Sequence, residues 1–301
     1  MSWQAEVIRY GARNWARAAL RKGRDLPTAR SRFERMAARY FRTPPGTLAL
    51  EATIAGVPGE WVQNQPRDTG VMLYLHGGAY MVGSPRTHRG LVAALAQRTG
   101  LRAFVADYRL APEHPFPAAF EDAVAAYDGL IALGHAPQSI VLGGDSAGGG
   151  LALALLSHLC HLGRKPAGVF TFSPWTDLTL TGASLVTNAA REQLLPAHKL
   201  TETRAVILGG ATPQDASDPR LSPFYASFPS PPPVQIHVAE SEILRDDALR
   251  MRGRLPGAEI KVAGDLPHVW PMLHAFLPEA RQTLDDTARF IRSCLPPEAE
   301  S

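Results

Sequence analysis

Apolar and polar positions alternate along this chain in two rhythms. From about residue 70 onward, short apolar runs of strand length are separated by longer stretches with helical spacing. The runs 71–75, 102–106, 139–143, 169–172 and 234–239 read as buried strands. The stretches 88–99, 118–133, 148–161, 244–254 and 278–294 read as the helices between them. Strands that alternate with helices imply a mostly parallel sheet covered on both faces, an α/β architecture. Residues 49–63, with a turn at Val57-Pro58-Gly59, read as an antiparallel start to that sheet. In such sheets, functional groups collect at the carboxyl ends of the strands.

Two regions depart from the alternation. Residues 1–42 show helical spacing at Trp3, Val7, Tyr10, Ala12, Trp15 and Ala19, then at Phe33, Met36 and Tyr40, with breaks expected at Gly23 and Pro27. Residues 175–232 are punctuated by Pro196, Pro213, Pro219 and Pro223 and close on a run beginning at Pro229, with helix-like spacing around 190–208. The expected organisation is N-terminal cap helices at 1–45, an α/β body at 46–174 and 233–301, and an inserted cap at 175–232.

Composition narrows the class. A length of 301 residues suits one α/β unit carrying an insertion. Hydrophobic residues at 45% and charged residues at 20% argue for a folded globular chain. The net charge of +3 owes much to arginines near the start, among them Arg9, Arg13, Arg17, Arg21, Arg24 and Arg30. No nucleic-acid-binding module accompanies them, so no nucleic-acid partner is expected. The amphipathic start either lies on a membrane surface or packs its Trp and Tyr face on the main body. No apolar run reaches the ~18 residues of a membrane span, so no stable insertion is expected. Cys160 and Cys294 are far apart and outside any metal-ligand spacing. Together with the absence of an apolar leader, they point to free thiols in a reducing cytoplasm.

Gly144-Asp145-Ser146-Ala147-Gly148 has the spacing G-x-S-x-G. It follows the apolar Ile140-Val141-Leu142 and precedes the helical run Leu151-Ala152-Leu153-Ala154-Leu155-Leu156, so it reads as strand–turn–helix. A turn that tight excludes side chains on either side of the serine, which accounts for Gly144 and Gly148. It exposes the Ser146 hydroxyl at a helix N-terminus, where free N–H groups favour negative charge. Ser146 is therefore the candidate nucleophile.

His76-Gly77-Gly78-Ala79-Tyr80 follows the strand-like 71–75. Acyl transfer builds charge on the former carbonyl oxygen, and backbone N–H groups must point at it. Gly77 and Gly78 are expected to supply two donors and Ala147 a third, with His76 bracing the loop.

These motifs, with Asp107-Tyr108-Arg109-Leu110-Ala111-Pro112-Glu113, Ser173-Pro174-Trp175 and Pro267-His268, resemble the hormone-sensitive-lipase-like family of bacterial carboxylesterases, the branch with a GDSAGG elbow. The resemblance covers most of the chain from about residue 70. It implies an α/β-hydrolase fold with a helical cap and a cofactor-free, metal-free esterase acting on short acyl esters. Ala79 stands where the family's loop has a third glycine. His268-Val269-Trp270 and Leu277-Pro278-Glu279-Ala280-Arg281 resemble the subgroup of monoterpene lactone hydrolases, which adds lactones to the expected substrates.

The resemblance, with the chain order Ser…acid…His, implies His268 as general base, with His274 as its nearest rival. Aligning Leu244-Arg245-Asp246 with the family's Leu-Arg-Asp puts Glu242 at the acid; Glu240 and Asp246 are the alternatives. Asp107, Glu113 and Asp145 are assigned to scaffolding. Tyr80, Trp175 and Trp270 are candidate pocket walls. A homodimer through an exposed strand edge is expected. The rival class is a non-catalytic small-molecule receptor on this fold, which the presence of both Ser146 and His268 disfavours.

Overall fold

The computed structural model describes residues 2–11, 25–64, 70–210 and 212–296. The expected break at Gly23 and the positions Ala12, Arg13, Trp15, Arg17, Ala19, Arg21 and Arg24 lie outside them. An eight-stranded sheet forms the centre, in the order β1-β2-β4-β3-β5-β6-β7-β8. Its strands are β1 (Leu48–Ile54), β2 (Val57–Gln63), β3 (Val71–Leu75), β4 (Arg102–Ala106), β5 (Ile140–Asp145), β6 (Gly168–Phe172), β7 (Val234–Ala239) and β8 (Glu259–Ala263). β2 runs antiparallel to β1 and β4, and all other neighbours are parallel.

Alternation within each strand feeds two cores. Val71, Leu73 and Leu75 of β3 face one layer, with Phe120 of α4 (Ala118–Ala132) and Leu151 and Leu155 of α5 (Ser146–His161). Met72 and Tyr74 face the other, with Leu91 and Leu95 of α3 (Pro85–Thr99) and Leu284 and Ile291 of α9 (Pro278–Cys294). β3, β5, β6 and β7 are buried throughout, as strands covered on both faces must be. Each fully buried leucine or phenylalanine here contributes about 1.5–3 kcal/mol relative to exposure.

Local signals fix several boundaries. α3 begins three residues before its expected start, because Ser84 and Thr87 form a capping box around Pro85. β5 runs on to Asp145, which pairs with Phe172. The expected helix at 244–254 is shorter: α8 covers Arg245–Arg250 and tightens into a 3-10 turn at Met251–Gly253. Between β6 and β7 the helices are α6 (Ser184–Thr187) and α7 (Leu200–Leu208), so only the second half of the expected 190–208 stretch is α-helical. This segment binds loops at the carboxyl ends of two strands: Ile207 O accepts from Phe116 N–H, beyond β4, and Asn188 Nδ2 donates to Glu240 O and Glu242 O, beyond β7.

Pro27 marks a helix boundary, as expected: it occupies the first turn of α2 (Leu26–Tyr40), where no N–H is needed, behind the Asp25 cap. Helix α1 (Trp3–Gly11) packs by its small face. Ala5 sits against Ala239, Leu266, Trp270, Leu277 and Ala280, while Trp3 is 73% and Tyr10 72% exposed. The alanine allows close approach, which the bulky stripe would prevent. Among the described residues no helix is long and apolar enough to cross a membrane.

Candidate active site

β5 delivers the chain to Ser146 at the first position of α5, with φ of +51°. The turn leaves no room beside it. A Cβ on Gly144 would lie 2.4 Å from Gly148 O, and one on Gly148 would lie 2.1 Å from Leu75 O. The loop after β8 brings His268 Nε2 to 2.8 Å from Ser146 Oγ. The loop after β7 brings Glu242 Oε2 to 2.6 Å from His268 Nδ1. Glu242 Oε1 accepts from Ala239 N–H at 2.7 Å and from the Ser173 hydroxyl at 2.8 Å, which leaves Oε2 for the imidazole.

The electrostatics follow from this packing. Burial opposes a charge on His268, but the Glu242 charge and hydrogen bond, with smaller contributions from Glu192 and Asp145, outweigh it and raise its pKa above the ordinary value. Burial pushes the Glu242 carboxyl up, His268 pulls it back, and Glu192 adds to the rise. A proton on His268 Nδ1, facing the Glu242 carboxylate, leaves Nε2 to accept from the Ser146 hydroxyl.

The rivals point elsewhere. Glu240 pairs with Arg245 at 3.0 Å. Asp246 accepts from Ser184 N–H at 2.9 Å and pairs with Arg245. His274 is buried against the main chain of Gly90 and Arg42, and burial lowers its pKa. Asp107 is solvent-exposed. Glu113 binds Arg30 of α2 at 2.7 and 2.8 Å, and the same guanidinium donates to Met81 O and Ala111 O.

The glycine loop corrects one expectation. Gly77 N–H donates to Asp145 Oδ1 at 3.1 Å, with His88 Nε2 at 3.2 Å. An amide carries a single hydrogen, so Gly77 has none left for a substrate. Glycine is required there because a Cβ would lie 2.2 Å from Asp145 Oδ2. Burial opposes the Asp145 charge, but His88 and the Tyr74 hydroxyl, at 2.8 Å, hold its carboxyl below the ordinary range. The next two residues turn sharply, with φ of +127° at Gly78 and +54° at Ala79. Among the described residues, the amides of Gly78, Ala79 and Ala147 donate to no protein acceptor. The left-handed turn at Ala79 leaves no pattern in the sequence, since it costs an alanine about 1–2 kcal/mol where a glycine would enter it freely. His76 braces the loop as expected. It stacks on Tyr108 at 4.3 Å between ring centroids, and burial and His88 lower its pKa to about 3, so it stays neutral.

Of the candidate pocket walls, Tyr80 lines a cavity of about 10 Å³ with Phe120, Leu151 and Ile207. Its buried hydroxyl has no partner among the described residues. Trp175 is buried, and its main-chain N–H donates to Ser146 O at 2.9 Å. Trp270 is not a wall: it is 0% exposed in the core under α1 and α9, and its indole N–H is spent on Thr283.

Three further residues stand at the site: Ser173 belongs to a motif that carried the resemblance without a role, and Asn188 and Glu192 carry no sequence signal. Ser173 touches Glu242. Asn188 holds the carbonyls of residues 240 and 242. Glu192, 1% exposed, accepts from Ile243 N–H at 3.0 Å and from Leu194 and Leu195 N–H. Among the described residues, no cluster of three or more His, Cys, Asp or Glu side chains could hold a metal ion.

Comparison with known proteins gives a consistent picture. Residues 72–277 match the family described as alpha/beta hydrolase fold. An acetyl-hydrolase of Streptomyces hygroscopicus is 39% identical over 255 residues, covering 83% of each chain. An esterase of Acinetobacter venetianus is 38% identical over 261 residues, covering 85% of each. The crystal structure of an esterase from the bacterial hormone-sensitive lipase family superposes with a TM-score of 0.90 at 38% identity, covering 97% of this chain and 98% of the other.

Proposed function

This chain belongs to the α/β-hydrolase family, in its branch of bacterial hormone-sensitive-lipase-like esterases, and on that footing we propose a serine carboxylesterase that cleaves short-chain acyl esters through a covalent acyl intermediate. The observation that carries the reading is the continuous path from Ser146 Oγ through His268 to Glu242, at 2.8 and 2.6 Å.

Each group has one task. His268 Nε2 takes the Ser146 proton as Oγ attacks the ester carbonyl. Glu242 fixes the imidazole tautomer and stabilises its cation. The carbonyl oxygen becomes an anion, and the amides of Gly78, Ala79 and Ala147 are the donors assigned to it. Each such donor is worth about 3 kcal/mol in the transition state. The C–O bond of the tetrahedral species breaks, and His268 returns the proton to the departing alcohol. Water then attacks the acyl-serine with His268 as base again, releasing the carboxylic acid and restoring Ser146.

Short acyl groups are the substrates that the resemblance to this esterase family implies. In this reading residues 1–45 and 175–232 form the cap, which binds the carboxyl-end loops. The homodimer along an open sheet edge and the cytoplasmic setting of the free thiols belong to the same reading; sedimentation and cell fractionation test them.

Ser146→Ala is expected to abolish hydrolysis of p-nitrophenyl butyrate while leaving the circular dichroism and melting temperature of the wild type. Retained turnover in that folded variant rejects Ser146 as nucleophile. A parallel panel of esters and lactones of increasing size defines the substrate range.

A further inference from the structure

One buried hydroxyl outside the Ser–His–Glu path touches both the acid and the base loops. Ser173 directly follows β6, is 0% exposed, and has φ of +51°. Its N–H donates to His237 O of β7 at 2.7 Å, which anchors its main chain in the sheet. Its Oγ lies 2.8 Å from Glu242 Oε1 and 3.2 Å from the amide of Val269, the residue after His268. The roles are forced. An amide can only donate, so Oγ accepts from Val269 and turns its single hydrogen to the carboxylate.

Two features separate this contact from ordinary packing. The first is conformational. L side chains rarely adopt the left-handed region, glycine enters it freely, and Ser173 and Val269 both occupy it, each with φ of +51°. A strained serine where glycine would be relaxed implies that the hydroxyl itself is needed. The second is the length of the acid. Glutamate has one more side-chain torsion than aspartate, so its carboxylate swings unless it is pinned. Only Ala239 N–H and Ser173 Oγ–H bind Oε1 among the described residues.

We propose that Ser173 is a positioning residue for the reaction, whose one hydroxyl aims Oε2 of Glu242 at His268 and at the same time ties down the backbone that carries His268. This rests on the reading of Ser146, His268 and Glu242 as the reacting set. Ser173 touches neither substrate nor the attacking oxygen; it acts through the two residues it holds together.

The test uses Ser173→Gly and Ser173→Ala in the full chain. Glycine relieves the backbone and removes only the hydroxymethyl group, so it separates the hydroxyl from folding. The expected result is a kcat for p-nitrophenyl butyrate lowered on the order of 10²-fold in both variants, as for a misplaced catalytic group. KM stays near the wild-type value, and the glycine variant stays folded, with a melting temperature lowered less than that of the alanine variant. The far-downfield proton resonance of His268 Nδ1–H, seen by NMR at low pH, shifts or broadens, a change that a purely structural role would not produce. Ser173→Cys keeps a weak donor and falls between the wild type and these variants.

A folded glycine variant with wild-type kcat and an unmoved resonance overturns the proposal. So does failure of both variants to fold, which makes the residue structural. Ser146→Ala, run alongside, distinguishes the two levels: activity there defeats the nucleophile assignment, whereas an inactive Ser146→Ala beside a fully active Ser173→Gly defeats only the role of Ser173.

Discussion

Around Ser146, main chain lies against main chain so closely that side chains are excluded. Cβ atoms placed at Gly144, Gly148 or Gly78 would meet backbone atoms at 2.4, 2.1 and 2.0 Å. Around His268 the bracing is done instead by side chains from distant parts of the chain: Glu242, Ser173, and Asn188 and Glu192 of the segment between β6 and β7. The Ser146 half, the proposed nucleophile half, is thus specified by what cannot be present, and the His268 half by particular hydrogen bonds. Steric exclusion leaves a run of glycines in the sequence. Hydrogen-bond bracing leaves ordinary polar residues, and of these nothing in the sequence marks out Asn188 or Glu192.

If this contrast is right, the two halves fail differently. The largest effect is expected at the nucleophile half. Gly148→Ala forces a methyl group into Leu75 O and His76 O, backbone atoms of a buried strand and its loop, and none of these can yield cheaply. Esterase activity should vanish, and urea denaturation should show a loss of about 1–3 kcal/mol or more, the cost of overpacking. A stable, active Gly148→Ala enzyme would break the steric account.

Next comes the acid. Glu242→Gln keeps the shape but loses the charge, and kcat should fall on the order of 10⁴-fold, as when a triad acid becomes an amide. Glu240→Gln should leave kcat near wild type, since Glu240 pairs with Arg245 and not with His268. The reverse ranking would move the acid assignment.

The smallest effect sharpens the comparison. His268 must be neutral to take a proton, so kcat/KM should fall as pH drops through its raised pKa. Glu192→Gln removes a negative charge that favours the imidazolium, so that pKa should fall and the acid limb of the pH profile move to lower pH. A few-fold loss of kcat should accompany it, because an amide cannot accept from Ile243, Leu194 and Leu195 together. An acid limb that stays in place would mean that Glu192 acts only as a strut.

Much of this molecule was legible in its residue pattern. The limits of β3, β4, β7 and α9 follow directly from apolar runs and helical spacing, because burial on both faces leaves continuous hydrophobic segments. Ser146, Glu242 and His268 converge from three separate loops, as the motifs implied. What the pattern could not report was orientation. The Trp3, Val7 and Tyr10 stripe of α1 looked like a packing face, yet the helix docks through Ala5, because periodicity marks a face without saying where it goes. The two glycines at 77 and 78 looked equivalent as donors, and only the position of Asp145 shows that one amide is already engaged. Trp270 stands two residues from the base, but the loop bends sharply at Val269 and turns the indole into the core.

The engagement of the Gly77 amide by Asp145 couples two events that are separate in the chemistry. Asp145 is the covalent neighbour of Ser146, and its carboxylate grips the strand exit that carries the receiving amides. On the proposed mechanism, the attacking atom and the amides that receive the charge are therefore tied to one carboxylate, which fixes the span between them.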